Sequence, residues 1–160
     1  MKPIAFVGHS GCGKDTACEL WADITGGINA KTLSWYITPD ILSAYLGAPR
    51  APAILLDRNN RHRYRNLWRD ALDLYRRDDP TRLLKDALKR GNITGGLRAS
   101  DELLAAKALG VFTVWIERPV PHDDTLEFER CDCDISIDNS GTVADLRETL
   151  HTLWRFTRCP

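Results

Sequence analysis

The chain lacks the long apolar segments that cross membranes. Its 160 residues are 43% hydrophobic and 28% charged, yet no apolar run reaches the roughly 20 residues that a bilayer-spanning helix needs. The N-terminus also lacks the charged and apolar regions of a secretory signal peptide. These absences predict a soluble cytoplasmic protein without a membrane partner.

The chain also lacks the features of a disulfide framework or a zinc site. Its five cysteines are an odd number, and no secretory leader accompanies them, so free thiols are expected. Cys131 and Cys133 have no second Cys or His pair at zinc-ligand spacing. The length is too short for two ordinary domains, so residues 1–160 are predicted to form one domain.

A glycine-rich loop stands between a predicted strand and a predicted helix. The apolar run 4–7 precedes it, and a helical pattern follows from residue 17. Glycines permit backbone conformations in which successive N–H groups face phosphate oxygens, and a helix N-terminus adds a favourable dipole. The segment therefore predicts an ATP or GTP site, and the residues expected to contact the phosphates are Gly8, Ser10, Gly11, Cys12, Gly13, Lys14, Asp15 and Thr16.

One position in this loop departs from the common phosphate-loop pattern. Gly8, Gly13 and Lys14 satisfy the spacing G-x-x-x-x-G-K, but Asp15 occupies the place of the usual magnesium-binding Ser or Thr. Asp15 could bind Mg²⁺ directly or through water, or accept a proton from an acceptor hydroxyl. Thr16 could supply the missing hydroxyl contact. Both residues are therefore candidate metal ligands, and Lys14 and Asp15 are candidate catalytic residues.

Apolar strand patterns alternate with amphipathic helix patterns along the chain. This alternation, together with the glycine-rich loop, predicts a three-layer α/β/α sandwich with a mainly parallel sheet, the architecture of P-loop NTPases. Strands are predicted at 3–8, 31–35, 53–56, 93–96, 111–116 and 134–137. Helices are predicted at 13–25, 38–45, 59–77, 79–89 and 142–155. A further helix is predicted to begin at a cap formed by Ser100.

In such a fold, functional side chains follow the carboxyl ends of the strands. Asp57 follows 53–56 and could orient Mg²⁺ or accept a proton, although it could equally pair with Arg58 or Arg61. Arg98 and Arg118 follow two further predicted strands. Their guanidinium groups match phosphate oxygens and suit phosphoryl transfer, the alternative being ion pairs with Glu102 or Glu117.

Charge is unevenly distributed in a chain of net charge zero. Eleven Lys or Arg residues lie between 58 and 90, against six Asp residues counted from Asp57, with aromatic residues interleaved. This composition suits phosphates and bases, so the segment is predicted to be a basic helical insertion that binds substrate. A pair of solvated amphipathic helices is the alternative. The candidate substrate contacts are Arg58, Arg61, Arg63, Arg65 and Trp68.

Two segments resemble a known group of enzymes. The run V-G-H-S-G-C-G-K-D-T resembles the phosphate loop of phage deoxynucleoside monophosphate kinases, in which G-K-D-T also occurs. Residues 93–119 resemble the second half of small phage P-loop kinases, including enzymes that phosphorylate 5-hydroxymethyluracil in DNA. The resemblance implies that Lys14, Asp15 and Thr16 belong to an ATP site and that Arg98 and Arg118 face phosphates.

The resemblance implies Mg²⁺-dependent transfer of the γ-phosphate of ATP to a nucleotide hydroxyl. Related kinases often have Asp before the arginine of the middle segment, whereas this chain has Gly96, Leu97 and Arg98. The resemblance further implies the nucleoside monophosphate kinase type of P-loop fold. The only insertion large enough for a lid is the basic segment 58–90, and little of the chain remains for a separate nucleotide-monophosphate domain. This favours an acceptor within single-stranded or base-flipped DNA over a free deoxynucleoside monophosphate. A P-loop protein that only hydrolyses nucleotides is a further alternative.

Overall fold

The computed structural model describes residues 2–57, 59 and 63–158. Within these residues, one sheet contains five strands in the order β2-β3-β1-β4-β5, and all paired strands are parallel. The strands are β1 (Ile4–Val7), β2 (Asn29–Thr32), β3 (Ile93–Gly95), β4 (Phe112–Glu117) and β5 (Ile135–Asp138).

The first strand lies at the centre of the sheet. Ile4 is in register with Ile93 of β3 on one side and with Phe112 of β4 on the other. Parallel strands share one carboxyl edge, so the glycine-rich loop that follows β1 lies in the middle of that edge. This placement brings the loop next to the segments that follow β3 and β4.

Helices cover both faces of the sheet, which confirms the predicted α/β/α sandwich. They are α1 (Lys14–Thr25), α2 (Pro39–Leu46), α3 (Arg65–Arg76), α4 (Arg82–Leu88), α5 (Ser100–Ala108) and α6 (Val143–Arg158). Short 3-10 turns occur at Leu33–Tyr36, Ala53–Leu56 and Arg130–Asp132. None of the helices in the described ranges is long and apolar enough to cross a bilayer.

Two hydrophobic cores separate the layers. Ile4 and Phe6 belong to the core beneath α1 and α6, whereas Ala5 and Val7 belong to the core shared with α2 to α5. All four side chains are buried. The side chains of alternate β1 residues therefore point to opposite faces of the sheet, and both faces are covered, which explains why the strand is apolar throughout.

The start of α2 is as the sequence predicts. The Thr38 hydroxyl accepts a hydrogen bond from the backbone N–H of Ile41 at 3.3 Å, and Pro39 occupies the first helical position. Gly47 ends the helix with a φ of 61°, a left-handed conformation in which glycine has no side-chain clash. Local chemistry is enough to set both ends of this helix.

The strand predicted at 53–56 is wrong. Residues Ala53–Leu56 form a 3-10 turn, in which the N–H of Leu55 bonds back to the carbonyl of Pro52 at 3.0 Å. Leu55 packs on the core of the α2 side, while Ile54 stays 55% exposed. A short apolar run does not distinguish a strand from a turn that anchors one side chain. Asp57 therefore does not follow a strand.

Three other predicted boundaries are corrected. The second strand is Asn29–Thr32 rather than 31–35, because residues Leu33–Tyr36 form a 3-10 turn. The basic helix begins at Arg65, later than the predicted 59. The cap of α5 is Ala99 rather than Ser100, since the Glu102 carboxylate accepts the N–H groups of Arg98 and Ala99.

Candidate functional site

The glycine-rich loop needs glycine at two positions for steric reasons. Gly8 has a φ of +136°, and a Cβ there would lie 2.7 Å from the carbonyl oxygen of Ile116. Gly13 has a φ of +100°, and its Cβ would lie 2.4 Å from Nδ2 of Asn139. Asn139, which follows β5, donates from Nδ2 to the carbonyl of Cys12 at 2.7 Å. The loop is thus closely packed against the strands behind it.

The same loop offers the donors that phosphates require. Within the described residues, the backbone N–H groups of Gly11, Gly13 and Lys14 have no acceptor. The Lys14 ammonium donates to the carbonyls of Gly8 at 2.9 Å and His9 at 2.6 Å. Burial lowers the pKa of Lys14, and the charge of Arg98 adds to this effect. An anion in the loop would satisfy these donors and offset the cost of the buried ammonium.

A cavity of about 500 Å³ adjoins the phosphate loop. The loop contributes Ser10, Gly11, Gly13, Lys14, Asp15 and Thr16 to its wall. The rest of the wall comes mainly from α3 and from the segment after β3, with contributions from Arg65, Trp68, Arg69 and Arg98. The cavity is therefore lined both by phosphate-binding donors and by arginine side chains.

Two of these arginines are joined by a buried carboxylate. Oδ2 of Asp123 accepts hydrogen bonds from Arg98 at 2.7 Å and from Arg65 at 2.9 Å. The side chain of Asp123 is 4% exposed, against 28% for Arg98 and 42% for Arg65. Oδ1 of Asp123 accepts from the Thr125 hydroxyl and backbone N–H. One carboxylate thus holds two guanidinium groups from different elements at the cavity wall.

The pKa of the Asp123 carboxyl reflects these contacts. Burial alone would raise it, but the hydrogen bonds from Thr125 and Arg98 and the charges of Arg98 and Arg65 hold it well below its usual range. The carboxylate is therefore ionised at neutral pH, and each of its oxygens accepts two hydrogen bonds. Its role is to position the arginines, since no oxygen is left to accept a substrate proton.

The phosphate loop contacts the segment that carries Asp123. The backbone N–H of Asp123 donates to Nδ1 of His9 at 3.3 Å. The His9 ring packs edge-on against Trp115 at 5.3 Å and lies 4.8 Å from the ring of His122. His9 thus links the loop to residues 122 and 123.

A second charged cluster is centred on Arg76. The Arg76 guanidinium donates to Asp73 and Asp101 and lies 3.8 Å from Glu102. Burial raises the pKa of the Glu102 carboxyl, although the N–H groups of Arg98 and Ala99 and the charge of Arg76 oppose this shift. Arg76, Asp73 and Glu102 all line the cavity.

The structure brings most of the predicted site residues to one place. Lys14, Asp15, Thr16, Ser10, Gly11, Gly13, Arg65, Trp68 and Arg98 all line the cavity. Gly8 and Cys12 also belong to the loop, but they are buried and do not line the cavity; Cys12 is 1% exposed. Burial raises the pKa of the Cys12 thiol despite the nearby Lys14, so the thiol is protonated at neutral pH.

Three predicted residues lie away from the cavity wall. Arg118 and Arg63 are exposed and do not line it. Asp57 does not line it either, and its Oδ1 accepts the backbone N–H of Asn59 at 2.9 Å. Arg58 and Arg61 lie outside the described residues. Arg98 forms its ion pair with Asp123, whereas Glu102, the alternative partner, contacts only its backbone N–H.

Sequence reasoning missed Asp123, Asn139 and Asp73. Asn139 follows a strand, so the same reasoning that selected Arg98 could have selected it. Asp73 shares a helical face with Arg65, Arg69 and Arg76, so helical periodicity could have shown it. Asp123 lies in an irregular segment distant in sequence from both of its arginines, and no local pattern marks it.

The residues at the phosphate loop fit a magnesium nucleotide. Asp15 and Thr16 line the cavity beside Lys14 and carry oxygen atoms, the ligand type that Mg²⁺ prefers. Free backbone donors, a lysine and an adjoining oxygen pair are what a triphosphate and its metal require. Asp15 and Thr16 are thus the residues that would hold Mg²⁺, which neutralises the charge of the phosphates when bound.

Comparison with known proteins identifies the fold. No known family matches the sequence, and no curated protein is significantly similar to it. Shikimate kinase from Acinetobacter baumannii, solved with shikimate, is 17% identical with a TM-score of 0.57, covering 100% of this chain and 97% of its own. Shikimate kinase from Aquifex aeolicus is 16% identical with a TM-score of 0.53, covering 99% of each chain.

A third structure gives the same result. A sugar kinase from Janibacter sp. HTCC2649 is 20% identical with a TM-score of 0.50, covering 97% of this chain and 95% of its own. In all three comparisons the likeness extends over nearly the whole chain. The chain has the α/β fold of the P-loop kinases.

Proposed function

We propose that this protein is an ATP-dependent phosphotransferase that moves the γ-phosphate of ATP to a hydroxyl of an acceptor held in the cavity. The observation that carries the proposal is the shared cavity itself, because phosphate-loop donors, including Lys14, line the same space as Arg65 and Arg98. Phosphoryl transfer needs cationic groups around the transferred phosphoryl. The lysine and the two arginines are such groups.

The size of the cavity supports transfer to an acceptor over simple hydrolysis. A volume of about 500 Å³ lies within the usual range for small-molecule sites. Trp68 is 4% exposed and its indole N–H is already bonded to the carbonyl of Leu55 at 2.7 Å. The indole therefore contributes ring surface to the wall, next to arginines. A planar base with a phosphate suits such a wall.

The acceptor that we favour is a nucleotide, and specifically 5-hydroxymethyl-deoxyuridine within phage DNA. Arg65 and Arg69 line the cavity while 42% and 47% of their side chains remain exposed. The cationic lining thus continues onto the surface, where Arg63 is also exposed. Such a surface suits the flanking phosphates of a strand whose target base enters the cavity.

Labelled ATP tests this proposal with three acceptors: deoxynucleoside monophosphates, plain DNA and DNA containing 5-hydroxymethyluracil. Label in the modified DNA alone supports the favoured acceptor. Label in nucleoside diphosphates supports the alternative, a deoxynucleoside monophosphate kinase. Release of free phosphate with every acceptor contradicts a transferase and indicates a nucleotide hydrolase.

Activity on DNA is expected to fall as salt rises, because arginine–phosphate contacts displace condensed counterions. Replacing Arg63 and Arg69 with alanine should reduce the slope of log(kcat/KM) against log[salt] by about 0.7 for each phosphate contact that is lost. The double variant R147A/R155A on α6 is the matched control and should keep the original slope. A slope unchanged by the loss of Arg63 and Arg69 would contradict a DNA contact at this surface.

A further inference from the structure

The cavity wall contains four carboxylates among the described residues: Asp15, Asp73, Glu102 and Glu127. The acceptor hydroxyl must lose a proton when it attacks the γ-phosphorus, and a carboxylate within hydrogen-bond reach can accept it. Among the described residues of the cavity wall, these four side chains are the carboxylates that could accept the proton.

Two of the four carboxylates accept hydrogen bonds from backbone N–H groups. Oε2 of Glu102 accepts the N–H groups of Arg98 at 2.7 Å and Ala99 at 3.2 Å, and the side chain is nearly buried. Oε2 of Glu127 accepts the N–H of Ser100 at 3.1 Å. Both carboxylates are thus anchored to the first turn of α5, whereas Asp73 is bonded to a side chain of its own helix, Arg76.

Asp15 and Asp73 lie on different elements of the cavity wall. Asp15 is in the first turn of α1, directly after Lys14 and beside Thr16, and is a candidate metal ligand. Asp73 is on α3, the helix that also brings Arg65, Trp68 and Arg69 to the cavity. Asp73 therefore shares its helix with the proposed acceptor contacts.

The contacts of Asp73 orient it and leave one oxygen available. Nη2 and Nε of Arg76 donate to Oδ1 at 2.8 and 3.1 Å. Oδ2 has no hydrogen-bond partner within the described part of the chain. Arg76 itself is 11% exposed in its side chain and is held further by Asp101 and Glu102. Asp73 is therefore fixed by one oxygen, with the other able to accept.

We propose that Asp73 is the catalytic carboxylate that binds the acceptor hydroxyl and takes its proton. The assignment rests on the proposed phosphotransferase function. The acceptor oxygen forms a bond to the γ-phosphorus of ATP, and its proton passes to Oδ2 of Asp73. The bond between the γ-phosphorus and the bridging oxygen breaks, and its electron pair stays on ADP. Asp73 returns the proton to solvent after the products leave.

The test compares Asp73→Asn with Asp101→Asn. Both substitutions remove one carboxylate partner of Arg76, and the two side chains are similarly exposed, at 47% and 50%. Only Asp73 lines the cavity. Asp73→Asn is expected to lower kcat by about 100-fold or more, with the KM for MgATP and the melting temperature close to those of Asp101→Asn. Asp73→Glu, which keeps the carboxylate, should recover part of the loss.

The possible outcomes separate the two proposals. Equal kcat values for Asp73→Asn and Asp101→Asn, with the wild type transferring phosphate, overturn the assignment of Asp73 and leave the kinase in place. A large loss confined to Asp73→Asn, with MgATP affinity retained by calorimetry, supports it. A wild type that transfers phosphate to no acceptor overturns the proposed function and this assignment together.

Discussion

Lys14→Ala is expected to lower kcat for phosphoryl transfer by about 100- to 1000-fold, the usual cost of removing one group that stabilises developing charge. The Lys14 ammonium lies at the loop end of the cavity, partly buried, where burial makes its interaction with a phosphate stronger than in water. No other lysine lines the cavity among the described residues. Transfer of a radiolabelled γ-phosphate measures the loss.

The fold of Lys14→Ala should survive. Among the described residues, the ammonium bonds to the carbonyls of Gly8 and His9 and to Sγ of Cys12. The free energy of unfolding, measured with urea, should therefore fall by about 1–2 kcal/mol. Lys107→Ala, at an exposed position near the end of α5, is the control and should keep full activity. Turnover of the Lys14 variant at the wild-type rate would refute the phosphate-binding role of the loop.

Asp123→Asn is expected to weaken both activity and stability. The substitution removes the buried charge that holds Arg65 and Arg98 together, so the two guanidinium groups repel each other and leave their positions at the cavity wall. The KM for the acceptor should rise, and kcat should fall by about 10- to 100-fold, as expected when a positioning contact is lost. Steady-state kinetics with the acceptor varied at saturating MgATP measures both effects.

The stability effect should depend on pH. The folded-state pKa of Asp123 lies below its value in the unfolded chain, so the carboxylate stabilises the fold above about pH 4 and loses that contribution as pH falls through the depressed pKa. Urea unfolding at pH 7 should show a loss of about 2 kcal/mol for Asp123→Asn. The difference from wild type should shrink in acid.

The neighbouring residue provides the control for Asp123. The side chain of Asp124 is 97% exposed, and its one ion-pair contact is with His122 at 3.8 Å. Asp124→Asn should therefore leave stability and acceptor KM within experimental error of wild type. Equal effects of the two substitutions would mean that charge in this segment matters in general and that the arginine pair does not depend on Asp123.

The phosphate loop and most elements of the fold were predictable because their signals are local. Gly8 and Gly13 are required by contacts with the strands behind the loop, but their spacing from Lys14 is visible in the sequence alone. Thr38, Pro39 and Gly47 similarly mark the two ends of α2 by their own conformational preferences. Each of these residues acts on atoms a few positions away in the chain.

Prediction failed where an apolar run had two possible structures. Ile54, Leu55 and Leu56 have the composition of a buried strand, but they form a turn in which Leu55 packs on the core and bonds to Trp68 through its carbonyl. Which structure forms depends on whether a partner strand is available, and that is a property of the sheet. The prediction that Asp57 follows a strand is wrong for the same reason.

The phosphate loop, the alternation of strands and helices, and the basic character of the segment that contains α3 can all be read from the amino-acid sequence. Which charged residues face the cavity depends on the folded arrangement of the chain. Arg98 and Arg65 are there because Asp123, 25 and 58 positions away, binds both, whereas Arg118 lies outside. Backbone conformation depends largely on residues nearby in the chain. Ion pairs, in contrast, can join residues that are far apart in sequence, and the sequence spacing does not show which of them are close in the folded protein.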